Sequence, residues 1–186
     1  MKKFSLFVLL LFSLICGLYF FTVKTFSLKE PVGYCPFCDE AVLEKQTFYE
    51  GDLILALCTH RPLFPGHSLI IPKRHVERFE LLTEQEIAEM GKVIKKVHEA
   101  VSKAFDTSPY LLLQKNGTEV GQSVPHLHVH YIPRKAGDSS TLKFLINMFL
   151  SQVKPPLSNA ETAEIVEKIK KAMESAPQEN VFQSSF

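Results

Sequence analysis

The most apolar stretch comes first: FSLFVLLLFSLICGLYFFTV, from Phe4 to Val23, has no charged residue. Wound as a helix at ~1.5 Å per residue, it would span about 30 Å, the thickness of a bilayer's hydrocarbon core. A helix packed in a protein core normally keeps a polar face, and this one has almost none. The pattern predicts a single-pass transmembrane anchor over residues 1–23. A cleaved signal peptide is the rival reading, but its apolar region runs to ~7–15 residues and ends at a small-x-small site. YFFTVKTF offers no such site, and bulky Ile15 before Cys16 does not suit a lipoprotein junction. Lys2 and Lys3 precede the stretch and Lys24 and Lys29 follow it, so charge barely chooses the side of the membrane.

After a linker over 24–34 the period changes. Short strand-like runs are expected at Thr47 to Glu50, Leu53 to Cys58 and Ser68 to Ile71, with Glu50-Gly51-Asp52 as a turn. LTEQEIAEMGKVIKKVHEAVSKAF is helical in period, with Ile87, Met90, Ile94, Val97, Val101 and Phe105 as its apolar stripe. Thr83 and Glu86 have capping-box spacing at its start. Tyr110 to Lys115 reads as a buried strand that ends in an Asn-Gly turn, and His126 to Ile132 as another, stopped by Pro133. Two further helical patterns, Leu142 to Val153 and Ala160 to Met173, fall in an extension over 141–175, and residues 176–186 read as a mobile tail. Strands before and after one long helix predict an α+β domain over 35–140, with a mostly antiparallel sheet.

Composition adds exclusions. A net charge of +1 argues against a nucleic-acid footprint. Of four cysteines, Cys16 and Cys58 look structural, whereas Cys35 and Cys38 form CPFC, a spacing for metal ligands, a redox pair or a disulfide.

The chemistry concentrates in GQSVPHLHVHYIPR, Gly121 to Arg134. Alternation along a strand puts His126, His128 and His130 on one face and Leu127, Val129 and Tyr131 on the other. One ion cannot take all three imidazoles, since i to i+4 spans ~13 Å along a strand. Two thiolates of CPFC with His75 and one triad histidine would make a tetrahedral site. The preceding turn, Asn116 to Ser123, has two glycines and several polar groups, and such loops can aim N–H groups at a phosphate.

These residues resemble the histidine-triad (HIT) family: His126-Leu127-His128-Val129-His130-Tyr131-Ile132 is similar to its signature, PGHSLIIPKRH (Pro65 to His75) to its second strand and loop, and CPFC to its zinc-bearing amino end. The resemblance implies a five-stranded antiparallel sheet with a long helix, a homodimer, and hydrolysis or nucleotidyl transfer at the α-phosphate of a nucleotide conjugate. It implies His128 as nucleophile, His130 in the phosphate pocket, His67 as its support, and Ser123 as a proton source for the leaving group. Gln122, Ser123 and Asn116 would contact the nucleotide, and Cys35, Cys38, His75 and His126 would hold a structural Zn²⁺. Thr59 stands where the family usually has an acidic or amide residue for the ribose, which weakens that contact. Two other readings stay open: a zinc-stabilised binding module without turnover, and a membrane-anchored thiol oxidoreductase using CPFC.

Overall fold

The structure, a computed structural model, describes residues 33–135, 137 and 139–175, with Ser13 before them. The chain forms two units, Met1–Tyr34 and Cys35–Phe186, and the elements from α1 onward belong to the second. Their order is α1 (Glu40–Gln46), β1 (Thr47–Glu50), β2 (Ile54–Cys58), β3 (Ser68–Pro72), α2 (Glu84–Phe105), β4 (Tyr110–Gln114), β5 (Val129–Pro133), α3 (Thr141–Val153) and α4 (Asn159–Glu174). The strands form one sheet in the order β1-β2-β3-β5-β4, and every neighbouring pair is antiparallel. This is the expected α+β architecture.

The membrane placement is corrected. Among the described residues no helix is long and apolar enough to cross a membrane. The stretch from Phe4 to Val23, on which that placement rested, lies outside the described residues apart from Ser13, as does the tail over 176–186.

β2 and β3 are buried along their whole length, because both faces of the sheet are covered. On one face Ile54, Ala56, Ile70, Val129 and Tyr131 pack with Val93, Val97 and Val101 of α2. Burying each such valine or isoleucine is worth about 1.5–3 kcal/mol. α4 joins the same core through Val166, Ile169 and Ala172. On the other face Leu55, Leu57, Leu69 and Ile71 meet Phe37, with Cys35 and Leu43 at the edge of the cluster. His130 stands opposite Leu69 in the β3–β5 ladder, so the triad belongs to this second face.

The helix α2 begins as its sequence predicts. Thr83 accepts from the Glu86 N–H and Glu86 returns a bond to the Thr83 N–H. Its apolar stripe is turned slightly from the expected one: Ile87 is exposed, while Glu86 and Val93 are buried. The shift has a cause in Glu86, whose carboxylate also takes the Arg74 guanidinium at 2.6 and 2.8 Å and so faces inward. A short helix α1, capped by Asp39, was not expected.

Two strands depart from expectation. β5 starts at Val129, so His126 and His128 precede the ladder. Its partner β3 ends in Pro72, which has no N–H to donate, and the Pro72 carbonyl is taken by the His126 ring at 3.0 Å. The alternation survives the loss of the ladder, because Leu127 still reaches the core and its N–H donates to the Val76 carbonyl at 2.6 Å. β4 is not buried: Tyr110, Leu111 and Leu112 are 44%, 40% and 41% exposed. It is an edge of the sheet, so one side of its backbone has no strand partner among the described residues.

Candidate active site and metal centre

Backbone geometry brings the histidines together. Gly66 has φ +85, and a Cβ there would lie 2.7 Å from Val101 and 2.8 Å from Phe105. Only glycine lets the β2–β3 loop press against α2 in this way, and the next residue is His67, 4% exposed. The loop is also tied to the carboxyl-terminal helices, because Arg61 donates to the carbonyls of Ser151, Gln152 and Lys154 at the end of α3.

The hydrogen bonds fix each imidazole's proton. The Leu63 N–H can only donate, and it points at Nδ1 of His67 at 3.1 Å. That nitrogen is therefore the acceptor, and Nε2 of His67 carries the hydrogen. It donates to Nδ1 of His130 at 3.0 Å, which leaves the His130 hydrogen on its own Nε2. In His128 the Nδ1–H donates to the His126 carbonyl at 2.7 Å, so the lone pair is on Nε2. The two triad rings lie 5.0 Å apart, edge to face. A nitrogen lone pair and an N–H donor thus stand side by side, which suits attack on an atom whose oxygens need a hydrogen bond.

Burial keeps this set neutral. It lowers His67 to about 3, with a smaller push from His130. It lowers His130 to about 4, helped by His128 and Lys115. His128 is lowered as well, by burial first, against its bond to the His126 carbonyl and with a contribution from Lys115. Uncharged imidazoles are what a lone-pair nucleophile and a fixed N–H donor require.

The remaining expected residues lie in the turn before the triad and just after β2. Gly121, with φ +80, closes the turn before the triad. Ser123 is exposed beyond it. Gln122 is buried with both ends of its amide engaged: Oε1 accepts from the Gly117 N–H at 2.6 Å and Nε2 donates to the Glu77 carbonyl at 2.9 Å. Asn116 accepts from the Phe79 N–H at 3.1 Å and donates to Glu80 at 3.2 Å. Thr59, buried at the end of β2, accepts from the Arg61 N–H at 3.4 Å. Phe37, inside CPFC, lies edge-on to His126 and His128 at 5.7 and 5.4 Å. It had been given no role in the sequence, and neither had Lys115, whose charge reaches both triad rings. No short motif marks either one.

A second cluster lies behind the first. Cys35, Cys38, His75 and His126 put their ligand atoms within 4.8 Å of one another. Sγ of Cys35 is 3.4 Å and Sγ of Cys38 3.6 Å from Nδ1 of His126, and Sγ of Cys38 is 3.4 Å from Nδ1 of His75. A tetrahedral ion with bonds of ~2.3 Å to sulfur and ~2.0 Å to nitrogen holds such atoms about 3.5 Å apart. His126 donates its Nε2–H to the Pro72 carbonyl, which turns the Nδ1 lone pair to the thiols, the outer-shell bond that ligating histidines use. The residues fit a metal. They fit a dithiol redox centre poorly, since burial and then Cys35 raise the Cys38 thiol to about 11, while such a centre needs a stabilised thiolate.

Fold and site together define a histidine-triad protein: a five-stranded antiparallel sheet, one long helix, and His-φ-His-φ-His entering the strand next to the edge. The HIT domain model matches residues 40–137, more than half of the chain, and the chain belongs to that family. It is 40% identical over 95 residues to the asymmetrical bis(5'-nucleosyl)-tetraphosphatase of Schizosaccharomyces pombe, a match covering 51% of this chain and 52% of that one. The chain thus spans about half the length of that hydrolase. It is 34% identical to an uncharacterized HIT-like protein of Methanocaldococcus jannaschii, over 73% of this chain and 98% of that one. Among solved structures, a hypothetical histidine triad nucleotide-binding protein from Sulfolobus tokodaii is similar at a TM-score of 0.61 and 27% identity, over 75% of this chain and 92% of that one.

Proposed function

We propose that the chain hydrolyses nucleotide conjugates at the α-phosphate, with His128 as the nucleophile. The observation that carries this is the bond from Nδ1 of His128 to the His126 carbonyl at 2.7 Å: it commits one nitrogen as donor and leaves the lone pair on the other. Nε2 of His128 attacks the α-phosphorus, a P–N bond forms, and the bond to the leaving group breaks, its electron pair leaving with that group. The Ser123 hydroxyl, exposed three residues before the triad, hands the departing oxygen or nitrogen a proton and is reprotonated from water. Water then attacks phosphorus, the P–N electrons return to Nε2, and a nucleoside monophosphate is released. His130, held by His67, donates its Nε2–H to a phosphoryl oxygen throughout, with turn N–H groups beside it.

Names among the family's relatives support a dinucleoside polyphosphate or a similar conjugate as substrate. Thr59 offers one hydroxyl to the ribose. Asn116 and Gln122, whose amides already hold the turn, act on the nucleotide by shaping that turn. Zinc on Cys35, Cys38, His75 and His126 has a structural part: four protein ligands leave no open position, and the ion ties the CPFC segment to the triad. A homodimer formed through the exposed edge β4 covers Tyr110, Leu111 and Leu112.

Incubation with a dinucleoside tetraphosphate and a nucleoside phosphoramidate tests the reading. The full chain should release nucleoside monophosphate and trap a nucleotidyl-histidine on acid-free quenching. His128→Asn should lower turnover by ~10⁴-fold or more while the protein still folds. Binding of the nucleotide without any turnover in the natural chain would favour the binding-module reading instead.

A further inference from the structure

Lys115 follows the last residue of β4, and no short motif marks it. The residue is partly buried, and its ammonium crosses the turn to donate to the Gly121 carbonyl at 3.3 Å in an exposed contact. Among the described residues no carboxylate forms an ion pair with it. The nearby cation Arg78 is already engaged by Glu80. His67 and His130 each have one ring nitrogen that accepts a hydrogen bond, from the Leu63 N–H and from His67 Nε2–H, and so are neutral imidazoles. Neutral imidazoles and backbone N–H groups can hydrogen-bond a phosphate but bring no net charge to it. The β4–β5 register pairs Leu113 with His130 and Gln114 with Val129, so Lys115 comes next along the strand that flanks His130 and the approach from His128. Among the described residues it is a positive charge there with no ion-pair partner.

Its position says which part of a substrate feels that charge. The α-phosphorus has to sit at Nε2 of His128, with an oxygen on Nε2–H of His130. Lys115 stands at Gly121, the head of the turn that leads through Gln122 to Ser123, where the leaving group departs. One long bond to a carbonyl is readily exchanged for a bond to an anionic oxygen, which is charge-assisted on both sides. The lysine stem is flexible enough to follow it.

We infer that Lys115 is a specificity-determining residue that selects nucleotide conjugates with a polyanionic leaving group, a polyphosphate chain, over conjugates whose leaving group is an uncharged amine. The inference rests on the nucleotidyl-transfer reading of the site and narrows its substrate class.

The experiment compares kcat/KM of the full chain for a dinucleoside tetraphosphate and for adenosine 5'-phosphoramidate, in the natural protein, Lys115→Met and Lys115→Arg. The natural protein should prefer the tetraphosphate. In Lys115→Met the ratio of the two kcat/KM values should fall by roughly 10- to 100-fold, the worth of one charge-assisted contact, and Lys115→Arg should restore most of it. Raising the salt should erode the preference of the natural protein and leave that of Lys115→Met nearly flat. An unchanged ratio, or an equal loss on both substrates, overturns the inference while the hydrolase reading stands. Failure of the natural protein to turn over either substrate overturns the hydrolase reading and this inference with it.

Discussion

Glu86→Gln isolates what holds the loop that carries His75. The Glu86 side chain is buried, and its carboxylate accepts on both oxygens. Oε1 takes Arg74 Nε at 2.6 Å, while Oε2 takes Arg74 Nη2 at 2.8 Å, the Thr83 N–H at 2.7 Å and the Thr83 hydroxyl at 3.0 Å. Glutamine can still close the capping box, but it has only one carbonyl oxygen. With that oxygen at the Oε2 position, its NH₂ group faces the Arg74 Nε–H, donor against donor. One charge-assisted bond is lost and a buried donor is left without a partner, for a combined cost of about 2–4 kcal/mol. Arg74 is half exposed, so solvent screening favours the lower end of that range. Urea unfolding should show a lower midpoint at an unchanged slope. Acid supplies an internal control. The Arg74 bond, with help from Thr83, holds the Glu86 carboxyl down to about 2, against an ordinary value of 4.5. A carboxylate lowered in the folded state stabilises fully above its unfolded value, and that stability is lost as pH falls from about 4.5 toward 2. The gap between Glu86→Gln and the natural protein should therefore narrow across that window. A difference under ~0.5 kcal/mol at pH 7, or a gap that widens in acid, would refute the reasoning.

Three further outcomes are expected. Purified full chain should carry about one zinc per chain, and either Cys35→Ser or chelation should lower its thermal stability, because metal binding to a closed site is folding free energy; metal analysis showing no zinc, with Cys35 and Cys38 oxidised to each other, would count against the site. His67 is lowered to about 3, chiefly by burial, so between that value and about 6.5 the unfolded chain binds a proton that the folded one does not, and stability rises with pH; His67→Asn should reduce this slope by about 1.4 kcal/mol per pH unit, and an unaltered slope in urea titrations from pH 4.5 to 6 would show that His67 is not buried neutral. Leu112→Lys on the exposed edge β4 should shift the protein to monomer in sedimentation velocity, whereas a natural protein that is itself monomeric at micromolar concentration would remove the proposed dimer.

What could be read from the chain divides along a physical line. Period-2 alternation at Leu127, Val129 and Tyr131 gave the core side of the triad strand, because the core demands apolar groups at fixed spacing and leaves the mark of that demand in the sequence. The capping box at Thr83 and Glu86 was legible for a related reason: it is local, and two residues three positions apart suffice to state it. The start of β5 was not legible. It depends on Pro72, over fifty residues earlier, ending the partner strand and leaving a carbonyl for His126. The exposure of β4 was also missed, since a run such as YLLLQ reads the same whether its cover comes from its own chain or from a second one. Phe37 and Lys115 act across the fold, one by roofing two imidazoles and the other by a charge that needs no contact to be felt. Neither action imposes a spacing on neighbouring residues, so neither leaves a pattern along the chain. A motif names the atoms that react. The field that decides which substrate reaches them is assembled from residues that only the folded chain brings near.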